Sequence, residues 1–294
     1  MEILSITTSE LFGQLLIGLI NGSFYALLSL GLAVIFGLLS IINFAHGAQY
    51  MLGALVAYLL LNKLGVGYWW ALLVSPIVVG AAGVLIERTM LSKLHKLDHL
   101  YGMLLTFGIA LVLEGLFRNE FGSSGLPYPI PSQLTGGQDL GFLFLPNYRA
   151  WVIITSLVVC LGTWYAIERT KLGAYLRAAT ENPQMVQAFG INVPRMITLT
   201  YGFGAALAAF AGVMAAPIYQ VSPQMGANLI IVVFAVVVIG GMGSVLGAVV
   251  TGFGLGVIEG LTKVLYPEAS NTVIFVIMAL VLLIKPAGLF GTKK

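Results

Sequence analysis

Lys171 to Arg195 reads KLGAYLRAATENPQMVQAFGINVPR, a polar stretch between two apolar runs that are each long enough to span a bilayer. Asn182 followed by Pro183 is the start chemistry of a helix, and Gly190 is its stop, so the spacing predicts about two helical turns between them. That short helix carries Met185, Val186 and Phe189 on one side. An apolar patch on the polar side of a membrane protein needs something to pack against, and a structured loop of this length is unusual between simple spans. The loop is therefore expected to be a docking surface, against the plainer alternative of an interfacial helix resting on lipid.

Outside this stretch the chain is dominated by apolar residues. Of its 294 residues, 59% are hydrophobic and 9% charged, and the mean hydropathy is +0.99, which is the composition of an all-α, polytopic membrane protein in contact with the lipid bilayer. The other long polar stretch, 119–148, is too short for a core of its own, so one transmembrane domain is expected over 1–294. Cys160 is the single cysteine and lies in an apolar run, which leaves no intramolecular disulfide and no cysteine metal site. The first ten residues are mildly acidic, so the apolar run from Leu11 is expected to be a retained span rather than a cleaved signal.

Apolar runs place spans near 11–40, 47–62, 68–88, 100–118, 148–168, 196–217, 227–242, 245–265 and 271–286, giving eight or nine transmembrane helices. The first is too long for one straight span and contains Asn21, Gly22 and Ser23, so it is expected to be tilted, broken or preceded by an interfacial turn. The seventh is short enough to be re-entrant. Ten of the fourteen basic residues fall on one side of this layout: Arg88, Lys93 and Lys96; Arg169, Lys171, Arg177 and Arg195; Lys285, Lys293 and Lys294. Lys63, Arg118, Arg149 and Lys263 are scattered on the other. Positive charge near span ends marks the cytoplasmic side, so the 171–195 loop is expected to be cytoplasmic and the 119–148 loop external.

No GxxxxGK[ST] phosphate loop, HExxH pair or nucleophile elbow is present in the sequence. Active transport would then draw on an ion gradient through intramembrane charges, or on a separate ATPase reached through the loop. Ionisable groups within spans are costly and are functional candidates by default. His46 ends the INF turn, where an imidazole suits a carbonyl freed by a helix break, with a gating or ligand role as the alternative. Glu114 precedes Arg118 by one helical turn, which favours an internal ion pair near the outer end, with a substrate contact as the alternative. Glu259 lies among Gly252, Gly256 and Gly260, a spacing of four that bares one helix face for close packing. Gly240, Gly241, Gly243 and Ser244 follow a span rather than a strand, so they are expected to break the helix near the membrane centre and line a path, not to cradle a nucleotide. An intramembrane enzyme would need two ionisable groups converging at depth, which the sequence does not bring together.

Four separated motifs carry a resemblance: IINFAHG from Ile41 to Gly47 with MLGA at Met51, ATENPQMVQAFGIN, GGMGSVLGAVVTG, and KPAGLFG. In that order they resemble the branched-chain amino acid permeases of bacterial ATP-binding-cassette importers, over nearly the whole chain. The early INFAHG helix is more similar to the shorter of the two paralogous permeases. The resemblance implies an inner-membrane heterodimer with a second permease, two cytoplasmic ATPase subunits that consume the ATP, and a periplasmic binding protein; no cofactor in this chain and no nucleic-acid partner are expected. It also implies that the loop is a coupling helix, with Arg177, Thr180, Glu181, Asn182, Met185, Val186, Phe189, Gly190, Ile191 and Asn192 at the ATPase. Asn43, His46, Gly241, Gly243, Ser244 and Glu259 are the expected path residues. Branched-chain amino acids are the expected cargo; urea, short amides or small aromatic acids are the alternatives within the family, and an ion-coupled secondary carrier is the alternative outside it.

Overall fold

A computed structural model describes residues 7–39, 42–95, 97–141 and 143–291. Ile41 of the IINFAHG motif and the basic residues Lys96, Lys293 and Lys294 lie outside them. Among the described residues the chain forms α1 (Thr8–Leu39), α2 (Ala45–Leu64), α3 (Tyr68–Thr89), α4 (His99–Phe121), α5 (Asn147–Arg169), α6 (Lys171–Glu181), α7 (Pro183–Ala188), α8 (Val193–Tyr219), α9 (Met225–Gly240), α10 (Val245–Leu265) and α11 (Val273–Ile284). A small antiparallel hairpin, β1 (Gly137–Asp139) with β2 (Phe144–Pro146), decorates the 119–148 loop. Six helices, α1, α3, α4, α5, α8 and α10, are long and apolar enough to cross a membrane; α9 and α11 are shorter apolar helices, and α2 opens on the polar residues His46 and Gln49. The protein is a multi-pass helical membrane protein.

The core is built around α1, which is mostly buried, whereas α4 and α5 are mostly exposed on the periphery. α1 is one unbroken helix of 32 residues, about 48 Å long at 1.5 Å per residue, and so exceeds the roughly 30 Å hydrocarbon core. Its Asn21-Gly22-Ser23 stretch does not break it. Ser23 Oγ donates to Leu19 O at 2.8 Å within the helix, while Gly18 and Gly22 press against the backbone of α10. A Cβ at Gly256 would collide with Gly18 O and Gly22 Cα, one at Gly252 with Ala26, and one at Gly260 with Gln14 O. The spacing-four glycines of α10 thus serve the α1 contact, where small residues let backbones approach and van der Waals packing accumulates.

Aromatic pairs fix which helix ends lie together. The Tyr68 and Tyr148 hydroxyls are 3.1 Å apart, and the Trp69 and Trp151 rings meet edge to face at 5.1 Å, so α3 and α5 start at the same end. At the opposite end, Ser244 and Leu246 of α10 and Phe290 of the tail share a cavity with Trp164, Glu168 and Arg169 of α5. Arg88, Arg169, Lys171, Arg177 and Lys285 belong to this basic end.

The α9 helix is a crossing rather than a re-entrant loop. Val221 before it pairs with Leu126 of the 119–148 loop, and α9 ends at the basic end in a turn at Gly241 and Gly243, whose φ values are +103° and +85°. Ser244 then caps α10, accepting from Gly247 N at 3.1 Å. The tail closes on this turn: Leu289 N donates to Ile239 O at 2.8 Å and Phe290 N to Gly240 O at 3.0 Å. The glycine run therefore breaks the helix as expected, but at the basic end against the tail, not at the bundle centre.

Candidate functional site

The polar loop folds as a helical unit held to both neighbouring spans. Only Thr170 separates α5 from α6, and the chain can turn that sharply because a side chain at Gly173 would occupy the position of Ile167 O. Arg177 then reaches back to α5, donating to Ile167 O at 3.1 Å and meeting Glu168 Oε2 at 3.3 Å. It satisfies a carbonyl left free at a helix C-terminus. Asn182 Oδ1 accepts from Met185 N at 2.9 Å to start α7, and Gly190, at φ +83°, ends it. Asn192 Oδ1 accepts from Arg195 N at 3.0 Å to start α8.

Val186 turns inward. It packs with Ala179 and Val193, and with the half-buried Ile191, Met196 and Ile197, into a small core belonging to the loop itself. The outward apolar surface is Met185, 59% exposed, and Phe189, 79% exposed; Leu172 and Tyr175 of α6 are exposed as well. Thr180, whose hydroxyl bonds Arg177 O, and Glu181 and Asn182 are exposed around it. Met185 and Phe189 thus form the free face, and Val186 anchors it.

The expected path residues fall in three separate places. Asn43 and His46 lie together where the chain leaves α1 and begins α2. His46 Nε2 donates to Leu28 O of α1 at 2.9 Å, and Gly31 leaves the space its ring needs. Leu28 lies eleven residues before the end of α1, about 16 Å along the axis, so α2 begins well inside the bundle. Irregular backbone at such depth survives only where protein groups satisfy it, and Thr106 of α4 does so. Its Oγ1 accepts from Phe44 N at 3.1 Å and donates to Ile42 O at 3.3 Å. Tyr201 of α8 donates to Asn43 Oδ1 at 3.3 Å and accepts from Gln49 Nε2 at 3.2 Å. Sequence reasoning missed Thr106 and Tyr201, because nothing local distinguishes a threonine or tyrosine that serves a distant break.

Gly241, Gly243 and Ser244 form the α9–α10 turn described above. Glu259, only 5% exposed, lies in the part of α10 towards the opposite end. Its carboxylate accepts from Tyr25 OH at 2.6 Å, Asn21 Nδ2 at 3.1 Å and Lys263 Nζ at 2.6 Å, and Tyr219 OH donates to Asn21 Oδ1 at 2.6 Å. A buried charge with this many donors, one of them cationic, is a fully satisfied network. The expected Glu114–Arg118 pair is formed, at 2.6 Å.

A second carboxylate is buried, this one at the basic end. Glu87, in the last turn of α3, accepts from Thr198 Oγ1 of α8 and lies 3.5 Å from His95 Nε2. Burial pushes His95 below its ordinary value, against the opposing pull of the Glu87 charge. Its place in a span-end sequence rich in charge hid Glu87, since neither hydropathy nor spacing tells a span-end glutamate in water from one folded under a neighbouring helix.

A family model described as branched-chain amino acid transport system / permease component matches residues 14–282. The chain is 32% identical to the high-affinity branched-chain amino acid transport system permease protein LivH of Escherichia coli K12, covering 95% of this chain and 94% of that one. It is 32% identical to BraD of Pseudomonas aeruginosa, with 95% of each covered. Against LivM of Escherichia coli K12 the identity is 28%, over 90% of this chain and 67% of that protein. No solved structure matches it.

Proposed function

Because the chain belongs to the branched-chain amino acid transport permease family, we propose that it forms half of an ATP-driven importer and takes its drive from a separate ATPase through the α6–α7 loop. The observation that carries this reading is the loop's construction. It has its own small core, hydrogen-bonded ties to α5 and α8, and an exposed pair, Met185 and Phe189, that nothing among the described residues covers. Exposed apolar surface of this kind on a polar face is a protein-docking feature.

The partners are a second, paralogous permease, two ATPase subunits that bind and hydrolyse the ATP, and an external binding protein; the site is the bacterial inner membrane with the loop in the cytoplasm. Motion of the ATPases reaches α5 and α8 as rigid-body displacement, because Arg177 and Gly173 fix the loop to α5 and Asn192 joins it directly to α8. From Val193 the α8 helix leads to Tyr201, which bonds Asn43 and Gln49. Displacing α8 therefore loads the break at the start of α2, and the translocation path follows this break, with Asn43 and His46 beside it. Gly241, Gly243 and Ser244 act at its basic end as the hinge turn, and Glu259 holds its opposite end closed through Tyr25 and Asn21.

The cargo is a branched-chain amino acid. Reconstituted with its partners, the transporter is expected to take up leucine, isoleucine and valine in an ATP-dependent manner, and excess urea, acetamide or benzoate should leave that uptake unchanged. Equal competition by any of these three solutes would move the substrate assignment to that class.

A further inference from the structure

A cleft of about 240 Å³ lies between the start of α2, the middle of α4 and the start of α9. Its walls are apolar: Phe44 and Met51 from α2, Phe107 and Leu111 from α4, and Ile230 from α9 among them. Its floor closes because Gly47 and Gly226 let α2 and α9 touch; a Cβ on either would run into the backbone of the other helix. Among the described residues Glu114 is the single ionisable residue in the lining; the half-exposed Arg118, one helical turn further along α4 and just outside the lining, is paired with its carboxylate at 2.6 Å.

We infer that this cleft is a binding site for a zwitterionic aliphatic α-amino acid, with Glu114 taking the ammonium group, Arg118 the carboxylate, and the apolar walls the side chain. The volume lies below the roughly 300–1,000 Å³ of pockets for drug-sized ligands and suits a small solute. One carboxylate beside one guanidinium presents both signs within a helical turn, which is the charge arrangement of an amino acid backbone. Urea lacks charge and an aliphatic chain, and an aromatic acid lacks the ammonium, so neither uses all three parts. The cleft wall also includes Phe44, whose backbone N–H is held by Thr106, so the site adjoins the break at the start of α2.

The inference deepens the importer reading and relies on it for the direction of transport, but the binding claim has a readout of its own. The test is irradiation of the intact purified assembly with photo-leucine, a diazirine analogue of leucine, followed by mapping of the adducts by mass spectrometry. Adducts are expected on cleft residues such as Met51, Leu111 and Ile230, suppressed by excess leucine but not by 4-methylpentanoate, which has the same carbon skeleton without the ammonium. Glu114→Gln is expected to cut labelling by on the order of tenfold, the effect of losing one charge-assisted contact, and Ile230→Trp to abolish it by filling the cleft. Adducts confined to other segments, or unchanged labelling in both variants, would overturn the assignment. Labelled cleft residues in an assembly that shows no ATP-driven uptake would support the site while sinking the importer reading.

Discussion

Tyr201 of α8 donates its hydroxyl to Asn43 Oδ1 across 3.3 Å, and so joins the helix that leaves the polar loop to the buried break that begins α2. Both residues are fully buried, and Gln49 completes the contact by donating to the same hydroxyl. Tyr201→Phe removes the shared group and leaves two buried amides short of a partner. Leaving a buried polar group unsatisfied costs about 1–3 kcal/mol, so the variant is expected to melt at a lower temperature. On the coupling proposal it also hydrolyses ATP with little uptake, a ratio measured directly in proteoliposomes.

The loop predictions are sharper. Phe189→Asp places a charge on the exposed face without touching the loop's own core. Gly190→Pro is incompatible with a φ of +83°, since proline is held near −65°. Either substitution is expected to abolish uptake while membrane insertion, followed by fractionation, stays normal. Val186→Asp should behave differently, because Val186 lies inside the loop core; proteolytic nicking of the loop is the expected signature there.

Packing of α1 on α10 gives a paired test within one helix. Gly256→Val would drive a side chain into Gly18 and Gly22, whereas a Cβ at Gly254 meets nothing within 4 Å. Overpacking at a backbone contact that cannot shift is expected to cost more than about 3 kcal/mol. Gly256→Val should yield little monodisperse protein in detergent gel filtration, and Gly254→Ala should match the parent.

Acid sensitivity is expected at the basic end. Burial holds the folded-state value of His95 below its ordinary value near 6.5, so the unfolded chain binds more protons between the two. Stability contributed there is present above the unfolded value and falls as pH drops towards the folded one. The midpoint of thermal unfolding should decline as the pH falls below about 6.5, and His95→Gln should flatten that slope. An unchanged slope in the variant would place the acid response elsewhere.

Much of the architecture was legible because membrane spans announce themselves by length and apolarity, and among the described residues the six long apolar helices follow the expected segments closely. The start and stop of α7 were readable from Asn182, Pro183 and Gly190, since capping chemistry is local. Burial was not: Val186 and Phe189 are three residues apart and equally apolar, and only the tertiary contacts with Ala179 and Val193 send one inward. For the same reason Glu87 escaped notice, and the Gly241–Gly243 turn was expected at the bundle centre, because its depth is set by the tail residues Leu289 and Phe290 that close on it from another part of the chain.

The central claim is that drive enters from a separate ATPase through Met185 and Phe189. The most direct measurement is to purify the tagged chain from its native membranes in mild detergent, identify what accompanies it by mass spectrometry, and assay ATP hydrolysis. The account predicts a soluble ATPase and a second permease in comparable amounts, with hydrolysis that rises when a ligand-loaded binding protein is added. A chain that purifies alone and takes up solute into liposomes under an ion gradient would contradict it and make Glu259, Glu114 and His46 the groups to follow.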